Sequence, residues 1–244
     1  MRVVLVFVAC LAMAYGRVTP DDFPTCKRSD PEIEKCVLTA IETMRPRFKQ
    51  GIPSLNVPAL DPFTLPTLKL DRTMDNLRLK AVIKNIKAVG GGNFKVEKLK
   101  IKLNNKYGAD MKLTLPKIAV SGDYDVRGSR LLAIDINGKG RMKSTFSGIT
   151  VVIKGVANPV TRDGVEYLQL DKLTVRTRIN DGHVELNDSE RPAAAQSAAF
   201  FFNSNPKVVL DIVNPLVEET GATIAKMYIN KILATIPLNE LLVD

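Results

Sequence analysis

The stretch from Asn205 to Pro237 most constrains the fold, because it predicts one long helix that is apolar around most of its circumference. Asn205 suits the N-cap and Pro206 the first helical position, where the missing proline N–H costs nothing, and Pro237 ends the helix. At about 1.5 Å per residue the helix is roughly 45 Å long. Its charged side chains fall on one narrow stripe, with Lys231 opposite. Such a helix must be enclosed by other elements, so the rest of the chain is predicted to wrap around it.

Two residues interrupt this predicted helix. Pro215 removes a backbone hydrogen bond and clashes one turn back, which predicts a kink between Asp211 and Pro215. Gly221 costs roughly 1 kcal/mol relative to alanine. Two interpretations of Gly221 stay open: another backbone approaches it closely, or it is a weak point in an ordinary core helix.

The first 16 residues are predicted to be a signal peptide. Arg2 supplies a basic start, an apolar run follows from Val3 to Ala14, and small residues end the segment at Gly16. The run is too short to span a bilayer. Residues 17–244, beginning near Arg17 or Val18, are then a single secreted, extracellular domain. Its hydrophobic content of 45% is ample for a large core.

The cysteines are consistent with secretion. Removing residues 1–16 takes away Cys10 and leaves Cys26 and Cys36, which predicts one disulfide in an oxidising compartment. Closing a loop of about ten residues stabilises a fold by roughly 2–3 kcal/mol. Two isolated cysteines and a single histidine do not make a metal site, so neither a metal nor a cofactor is expected.

Between Leu68 and Leu186 the hydrophobic period is two, which predicts a half-buried antiparallel sheet with a cationic outer face. Slips in the alternation at Glu97-Lys98 and near Asn85 predict β-bulges that curl the sheet. Beyond the alternating runs at Leu77, Leu99 and Met111, strands are predicted at 123–126, 131–137, 141–148, 150–155, 166–179 and 183–187. Turns are predicted at Gly90 to Asn93, Asn104-Asn105, Arg127-Gly128, Asn137-Gly138, Arg162 to Gly164 and Asn180 to Gly182.

Two further segments flank the sheet. After Asp30-Pro31, apolar residues at three-to-four spacing predict an amphipathic helix that lies on the outside; they are Ile33, Val37, Ile41, Met44 and Phe48. Prolines make residues 51–63 extended. Residues 190–199 are a mobile connection or a weak helix. The sequon Asn187-Asp188-Ser189 predicts glycosylation at Asn187.

Together these patterns predict an α+β fold. A strongly curved antiparallel β-sheet wraps around a long C-terminal α-helix, and a shorter N-terminal amphipathic helix completes the domain.

The formal net charge of +9 suggests attraction to acidic surfaces. The chain has no Trp, only 6% aromatic residues and a secretory start, which argue against a nucleic-acid partner. Solvated lysines on the outer face of the sheet are the favoured explanation. No nucleophile elbow, phosphate-binding loop or metal-ligand spacing is present in the sequence, and the exposed His183 is more typical of an inert side chain, so no enzyme activity is expected.

Two sets of residues resemble the insect takeout and juvenile-hormone-binding protein family over essentially the whole mature chain. The N-terminal set is Phe23-x-x-Cys26-Lys27, Asp30, Cys36 and Gly51-Ile52-Pro53-x-Leu55-x-Val57-Pro58-x-Leu60-Asp61-Pro62. The C-terminal set is Phe201-Phe202-Asn203-Ser204-Asn205, Pro215 and Ile236-Pro237-Leu238-Asn239-Glu240-Leu241-Leu242. The chain departs from the family in having Pro206 where a tryptophan is usual. It also lacks the second disulfide of the moth hormone carriers, so it is more similar to the takeout branch.

The resemblance implies an apolar tunnel between sheet and helix, and a link to biological rhythms. We therefore predict a monomeric carrier of a small hydrophobic ligand such as a terpenoid hormone or fatty acid, with transient membrane contact. A membrane-surface lipid-transfer protein that uses its lysine-rich sheet face is the alternative. The predicted ligand contacts are Leu79, Phe94, Ile101, Leu132, Ile134, Phe146, Val175, Val209, Val213, Leu216, Ile224 and Met227.

Overall fold

The computed structural model describes residues 24–103, 106–132 and 134–244. The predicted signal peptide, the start of the mature chain and the Asn104-Asn105 turn lie outside these residues. The strands are β1 (Cys26–Lys27), β2 (Phe63–Met74), β3 (Leu77–Val89), β4 (Lys95–Lys102), β5 (Tyr107–Leu131), β6 (Ile134–Arg162), β7 (Val165–Asp188) and β8 (Leu242–Val243). The helices are α1 (Ile33–Gln50), α2 (Pro192–Ser204), α3 (Pro206–Leu233) and α4 (Leu238–Leu241), with 3-10 turns at Pro53–Leu55 and Gly91–Asn93.

Six strands form one antiparallel sheet, in which β2, β3, β5, β6 and β7 follow one another in that order and β4 pairs with β5. The long strand β5 pairs with β3 along its C-terminal half and with β4 along its N-terminal half. Strands β3 and β4 therefore follow one another along the same side of β5. Strand β2 lies at an edge, which explains why it tolerates Pro66. Separately, β1 and β8 pair in parallel.

The three longest strands are not divided as the sequence predicts. Strands β5, β6 and β7 contain 25, 29 and 24 residues, and three predicted turns lie inside them. At Arg127-Gly128 the pairing shifts register while the strand continues. Gly128 has a φ of 57°, and its N–H donates to Asn137 Oδ1 at 2.6 Å. The turn-forming residues there build a bulge and not a chain reversal.

The predicted break at Asn180 to Gly182 is likewise wrong, because β7 runs through it beside Gly148 of β6. Gly148 has a φ of 61°, which glycine adopts without strain, and the two strands stay in the same register on both sides of it. The predicted turn at Arg162 to Gly164 is confirmed. Asp163 and Gly164 have φ values of 49° and 78° and connect β6 to β7 as a tight hairpin.

The two predicted bulges are confirmed. The register of β4 against β5 shifts between Val96 and Lys98. That of β3 against β5 shifts between Lys84 and Lys87, where Asn85 has a φ of 53°. An extra residue on one strand bends the pair and increases its twist, so these sites curl the sheet.

The curled sheet reaches α3 from both edges, which confirms the predicted wrapping. Glu219 of α3 accepts hydrogen bonds from Arg72 on edge strand β2. Its neighbour Glu218 accepts the N–H of Thr177 on the opposite edge strand β7, at 2.7 Å. The Arg72 guanidinium lowers the pKa of Glu219. Two consecutive helix residues can meet opposite edges of one sheet only if the sheet closes around the helix.

Helix α3 begins at Pro206 as predicted and ends at Leu233, a few residues before Pro237. Asn205 occupies the N-cap position as predicted, but its side chain makes no capping hydrogen bond and donates instead to the Phe201 carbonyl of α2. The helix continues through Pro215, and the kink there stays a prediction. Apart from the adjoining backbone of α3 itself, no heavy atom lies within 4 Å of the position that a Cβ on Gly221 would take. The close-approach interpretation of Gly221 is therefore wrong.

Asparagine side chains of the helices form hydrogen bonds with backbone groups on the outer edge of β7. The side chain of Asn203 accepts a hydrogen bond from the N–H of Val184 and donates one to its C=O. Asn230 makes the same two hydrogen bonds with Leu170, and the four distances are 2.7–3.3 Å. Between them Asn214 donates to the Thr177 carbonyl at 2.7 Å. We call Asn203, Asn214 and Asn230 the asparagine ladder.

The spacing of the ladder explains why it fits. Asn214 and Asn230 are roughly 24 Å apart along α3 at about 1.5 Å per residue. Their partners Thr177 and Leu170 are roughly 23 Å apart along β7 at about 3.3 Å per residue. The helix therefore runs alongside the edge strand at matched pitch and covers the edge that would otherwise be free to pair with another chain.

Residues 190–199, predicted as a mobile connection or a weak helix, lead into and form most of α2. Asp188 fixes the start of this helix. Its buried carboxylate accepts the backbone N–H groups of Arg191, Lys139 and Glu190 at 2.8–2.9 Å, and these hydrogen bonds hold its pKa below the usual range.

Candidate ligand-binding site

A cavity of about 420 Å³ lies at one end of the molecule, between α1, the inner face of the sheet and the C-terminal part of α3. Buried side chains pack on two sides of it. One cluster joins α1 to the segment that follows α3 through Met44, Leu55 and Ile236, and the other joins β6 and β7 to α4. The lining residues are Pro24, Cys26, Val37, Ala40, Ile41, Met44, Phe48, Ile101, Leu103, Tyr107, Gly108, Ala109, Met111, Ile153, Gly155, Ala157, Leu168, Leu170, Leu173, Ile229, Leu233, Leu241 and Leu242.

Helix α1 forms one wall of this cavity. Four of the five residues that predict its apolar face line the cavity, namely Val37, Ile41, Met44 and Phe48. The prediction that this face is buried is confirmed in part, because Ile33 and Met44 are buried and the other three residues are half-buried. What the face covers is the cavity, which the pattern of apolar residues does not reveal, because packing and lining residues share the same period.

Polar contacts hold α1 against the edge strand β4. Arg45 donates to the carbonyls of Gly92 and Phe94, and its guanidinium lies 4.2 Å from the centroid of the Phe94 ring. Near the other end of the helix, Glu34 accepts the N–H of Ile101 at 3.1 Å. These contacts satisfy backbone groups of the β4 region and fix the distance between α1 and the sheet.

The end wall of the cavity is built from segments far apart in sequence. Cys26 of β1 pairs with Leu242 of β8, and the N–H of Arg28 donates to the Val243 carbonyl at 2.7 Å. Cys26 forms the predicted disulfide with Cys36 of α1. One covalent bond and one short parallel ladder therefore join α1, β1 and β8 around the same side of the cavity.

The chemistry of the lining is apolar. Among the described residues that line the cavity none is charged, and Tyr107 carries the one hydroxyl group. An apolar cavity of about 150 Å³ in another protein stays dry and binds benzene. A cavity of about 420 Å³ scales to roughly 17 non-hydrogen atoms and lies within the usual range for small-molecule sites.

Two other kinds of feature do not occur in the described part of the chain. No three His, Cys, Asp or Glu side chains there are grouped so as to hold a metal ion. Over the same residues, no helix is both long and apolar enough to cross a membrane.

Of the twelve predicted ligand contacts, Ile101 lines this cavity and eleven lie elsewhere. Four belong to a packed cluster around the N-terminal half of α3, in which Val209 and Leu216 are buried and Leu79 and Val213 pack against them. These side chains lie between helix and sheet as predicted, but they meet other protein side chains there.

The remaining predicted contacts are dispersed. Leu132 follows the end of β5 with a φ of 54°, and Ile134 begins β6, so the predicted strand through both residues is wrong. They are 40% and 41% exposed, and Met227 is 43% exposed. Phe94 packs under Arg45, and the Phe146 ring packs over Gly182. Val175 and Ile224 are half-buried.

The outer side of the strands that line the cavity is strongly basic. Four cross-strand rows from β4 to β7 carry nine exposed lysine or arginine residues, and the carboxylates on these rows are Asp110 and the neighbouring Glu97. We call these rows the cationic face. The rows are Lys95, Thr114, Thr150 and Arg178; Lys98, Lys112, Val152 and Arg176; Lys100, Asp110, Lys154 and Thr174; Lys102, Gly108, Val156 and Lys172.

Comparisons with known proteins agree with this architecture. The family model described as haemolymph juvenile hormone binding protein matches residues 3–243. The circadian clock-controlled protein daywake of Drosophila melanogaster is 27% identical over 97% of this chain and 95% of its own length. Daywake of Drosophila yakuba is 26% identical over 98% and 95%. The crystal structure of Epiphyas postvittana Takeout 1 superimposes with a TM-score of 0.71, at 23% identity over 91% of this chain and 100% of that one.

Proposed function

The chain belongs to the haemolymph juvenile hormone binding protein family, and on that premise we propose that it is a secreted carrier of one small hydrophobic molecule. The observation that supports this is the uncharged cavity of about 420 Å³. A ligand of roughly 17 non-hydrogen atoms fits this volume, the size of a terpenoid hormone or a medium-length fatty acid. The ligand is held and released without chemical change.

We place the ligand contacts on the cavity wall. On α1 they are Val37, Ile41 and Met44, and on the sheet they are Ile101 and Ile153. Leaving water is worth roughly 25 cal/mol per Å² of apolar surface, so affinity for such a ligand comes mainly from burial. The Tyr107 hydroxyl is available to bind one polar group. The buried predicted contacts outside the cavity, such as Val209 and Leu216, then serve stability.

Secretion, a glycan on Asn187 and a monomeric state complete the proposal. The Asn187 side chain is exposed at the end of β7, accessible to a glycan, while its neighbour Asp188 points into the fold. Mass measurement of the native protein before and after enzymatic deglycosylation tests the modification.

The test of the carrier function is native mass spectrometry of the purified protein followed by organic extraction. We expect a co-purifying lipid of the predicted size, which a panel of terpenoids and fatty acids displaces along with an apolar fluorescent probe. Ala40→Phe places a ring in the cavity and should abolish binding of the longer ligands. Thr43→Phe, on the exposed side of the same helix, is the matched control and should bind normally.

The proposal is lost if no ligand co-purifies and no member of the panel displaces the probe. Equal binding by the two phenylalanine variants would move the site away from α1. Steady turnover of a lipid ester by the pure protein would replace the carrier with an enzyme.

A further inference from the structure

The cationic face holds most of the net charge of the molecule. Its nine lysine and arginine residues against Asp110 and Glu97 give +7, compared with +9 for the whole chain. Counting Glu218, which pairs with Arg176 over the edge of β7, still leaves +6. Lysines spread over the whole surface would keep the protein in solution equally well, so solubility does not explain their concentration on one face.

Within this face Lys98 and Lys112 are directly opposite each other on β4 and β5. Opposed side chains on antiparallel strands have their Cβ atoms about 5 Å apart, and like charges there destabilise the pair. Neither lysine forms an ion pair with any residue in the described ranges, whereas Lys102 pairs with Asp110 and Lys95 with Glu97. Folding does not explain two unpaired lysines at this spacing, but an external anion does.

The shape of the face indicates the kind of anion. Four strands at about 4.8 Å spacing and four rows about two residues apart give an extended surface of roughly 15 Å by 20 Å. No aromatic side chain occurs on the rows, so unstacked bases of a nucleic acid have no platform there. Lysines near a membrane attract anionic head groups with little demand on geometry.

The position of the face connects it to the cavity. Lys100 and Lys102 alternate along β4 with Ile101, and Lys154 follows Ile153 on β6, so the same strands present lysines outward and cavity walls inward. We propose that the cationic face docks this protein on membranes rich in anionic lipid, where an apolar ligand is collected or delivered. This proposal rests on the proposed carrier function for its purpose, but docking and ligand binding are measured separately.

Co-sedimentation of the full protein with vesicles is the test. We expect binding to phosphatidylcholine vesicles that contain one-third phosphatidylserine, loss of that binding as salt is raised, and little binding to pure phosphatidylcholine. Lys98→Glu changes the charge by two and should weaken binding about 25-fold, at about fivefold per charge. Lys98→Gln should weaken it about fivefold. Because the carboxylate introduced by Lys98→Glu would face Lys112, the melting temperature should not fall.

Lys69→Glu on β2 makes the same change in net charge outside the face and should alter vesicle binding less than about twofold. Probe binding in solution should be unchanged in all three variants, which separates docking from the carrier function. The proposal is overturned if the wild-type protein does not bind phosphatidylserine vesicles at low salt, or if Lys69→Glu weakens binding as much as Lys98→Glu. Tighter binding to DNA or to an acidic protein than to these vesicles at equal salt would also overturn it.

Discussion

Gly221 and Gly182 show that the cost of a glycine depends on its surroundings. Gly221 lies within α3, and a Cβ there would meet no heavy atom within 4 Å beyond the adjoining backbone of the helix. Gly182 lies in β7, and a Cβ there would lie 3.0 Å from the Phe146 ring and 3.2 Å from the Phe202 ring. The first glycine costs helix stability without serving packing, and the second makes room for two aromatic rings.

Gly221→Ala should therefore raise the free energy of unfolding by roughly 0.5–1 kcal/mol, because alanine loses less backbone entropy in a helix. Gly182→Ala is the matched contrast and should lower it by roughly 1–3 kcal/mol, since the rings must shift to admit a methyl group. Urea denaturation measures both changes. A destabilised Gly221→Ala variant would mean that something approaches the helix at this point after all.

At the scale of elements, the asparagine ladder sets the register between α3 and β7. A side-chain amide offers a donor and an acceptor at the spacing of a peptide group, so Asn203 and Asn230 each act as a substitute for a neighbouring strand. Glu218 and Asn214 divide the same task at Thr177. The helix is thereby attached to the sheet at polar points as well as through its apolar face.

Asn230→Ala should cost roughly 2–4 kcal/mol, because it leaves both the N–H and the C=O of Leu170 without a partner. Hydrogen exchange should accelerate at the Leu170 amide while the Thr177 amide stays protected. Asn239→Ala changes an exposed asparagine and should stay within about 0.5 kcal/mol of wild type. Equal exchange at Leu170 in wild type and Asn230→Ala would show that the ladder contributes no protection.

The elements also show which parts of this fold are predictable. Three local patterns in the sequence led to the correct elements. The hydrophobic period of two predicted the sheet, the slips at Glu97 and Asn85 predicted the bulges, and the apolar length after Pro206 predicted α3. The prediction of strand ends was wrong where the same residue types can form either a turn or a bulge. Gly128 and Asn137 are turn formers by type, yet in β5 and β6 they build a bulge, and only the pairing of neighbouring strands decides between the two.

The candidate ligand site is less predictable for a physical reason. A side chain that lines empty space and one that packs against a neighbour are equally apolar and recur at the same period. Val209 and Leu216 were therefore indistinguishable from Ile101 in the sequence. The difference arises from how far apart α1, α3 and the sheet are held, which depends on polar contacts such as that of Arg45 with the Phe94 carbonyl.

At the scale of the whole molecule, the Cys26–Cys36 disulfide connects the cavity to the N-terminal segment. It joins α1, which forms one wall, to β1, which pairs with β8 in another. Strand β1 is only two residues long, so the bond restrains a part of the fold that its own pairing does not secure. Loss of the bond should therefore weaken binding in the cavity as well as lower overall stability.

Reduction of the disulfide, or the double variant Cys26→Ala with Cys36→Ala, should lower the free energy of unfolding by roughly 3 kcal/mol on the loop-closure model. Probe affinity should fall with it, because the end wall frays. Thermal denaturation and probe titration with and without reductant measure the two effects. An unchanged probe affinity in a less stable protein would show that the end wall does not contribute to ligand binding.

The parallel pairing of β1 with β8 also bears on how the protein is made. Cys26 and Leu242 lie near opposite ends of the sequence, so the ribosome completes one side of this ladder long before the other. Both cysteines and α1 emerge early, whereas the ladder on β1 cannot form until β8 has been synthesised. A chain that stops before Leu242 keeps its disulfide but lacks the β1–β8 ladder beside the cavity. Retention of an apolar ligand would thus distinguish finished chains from truncated ones.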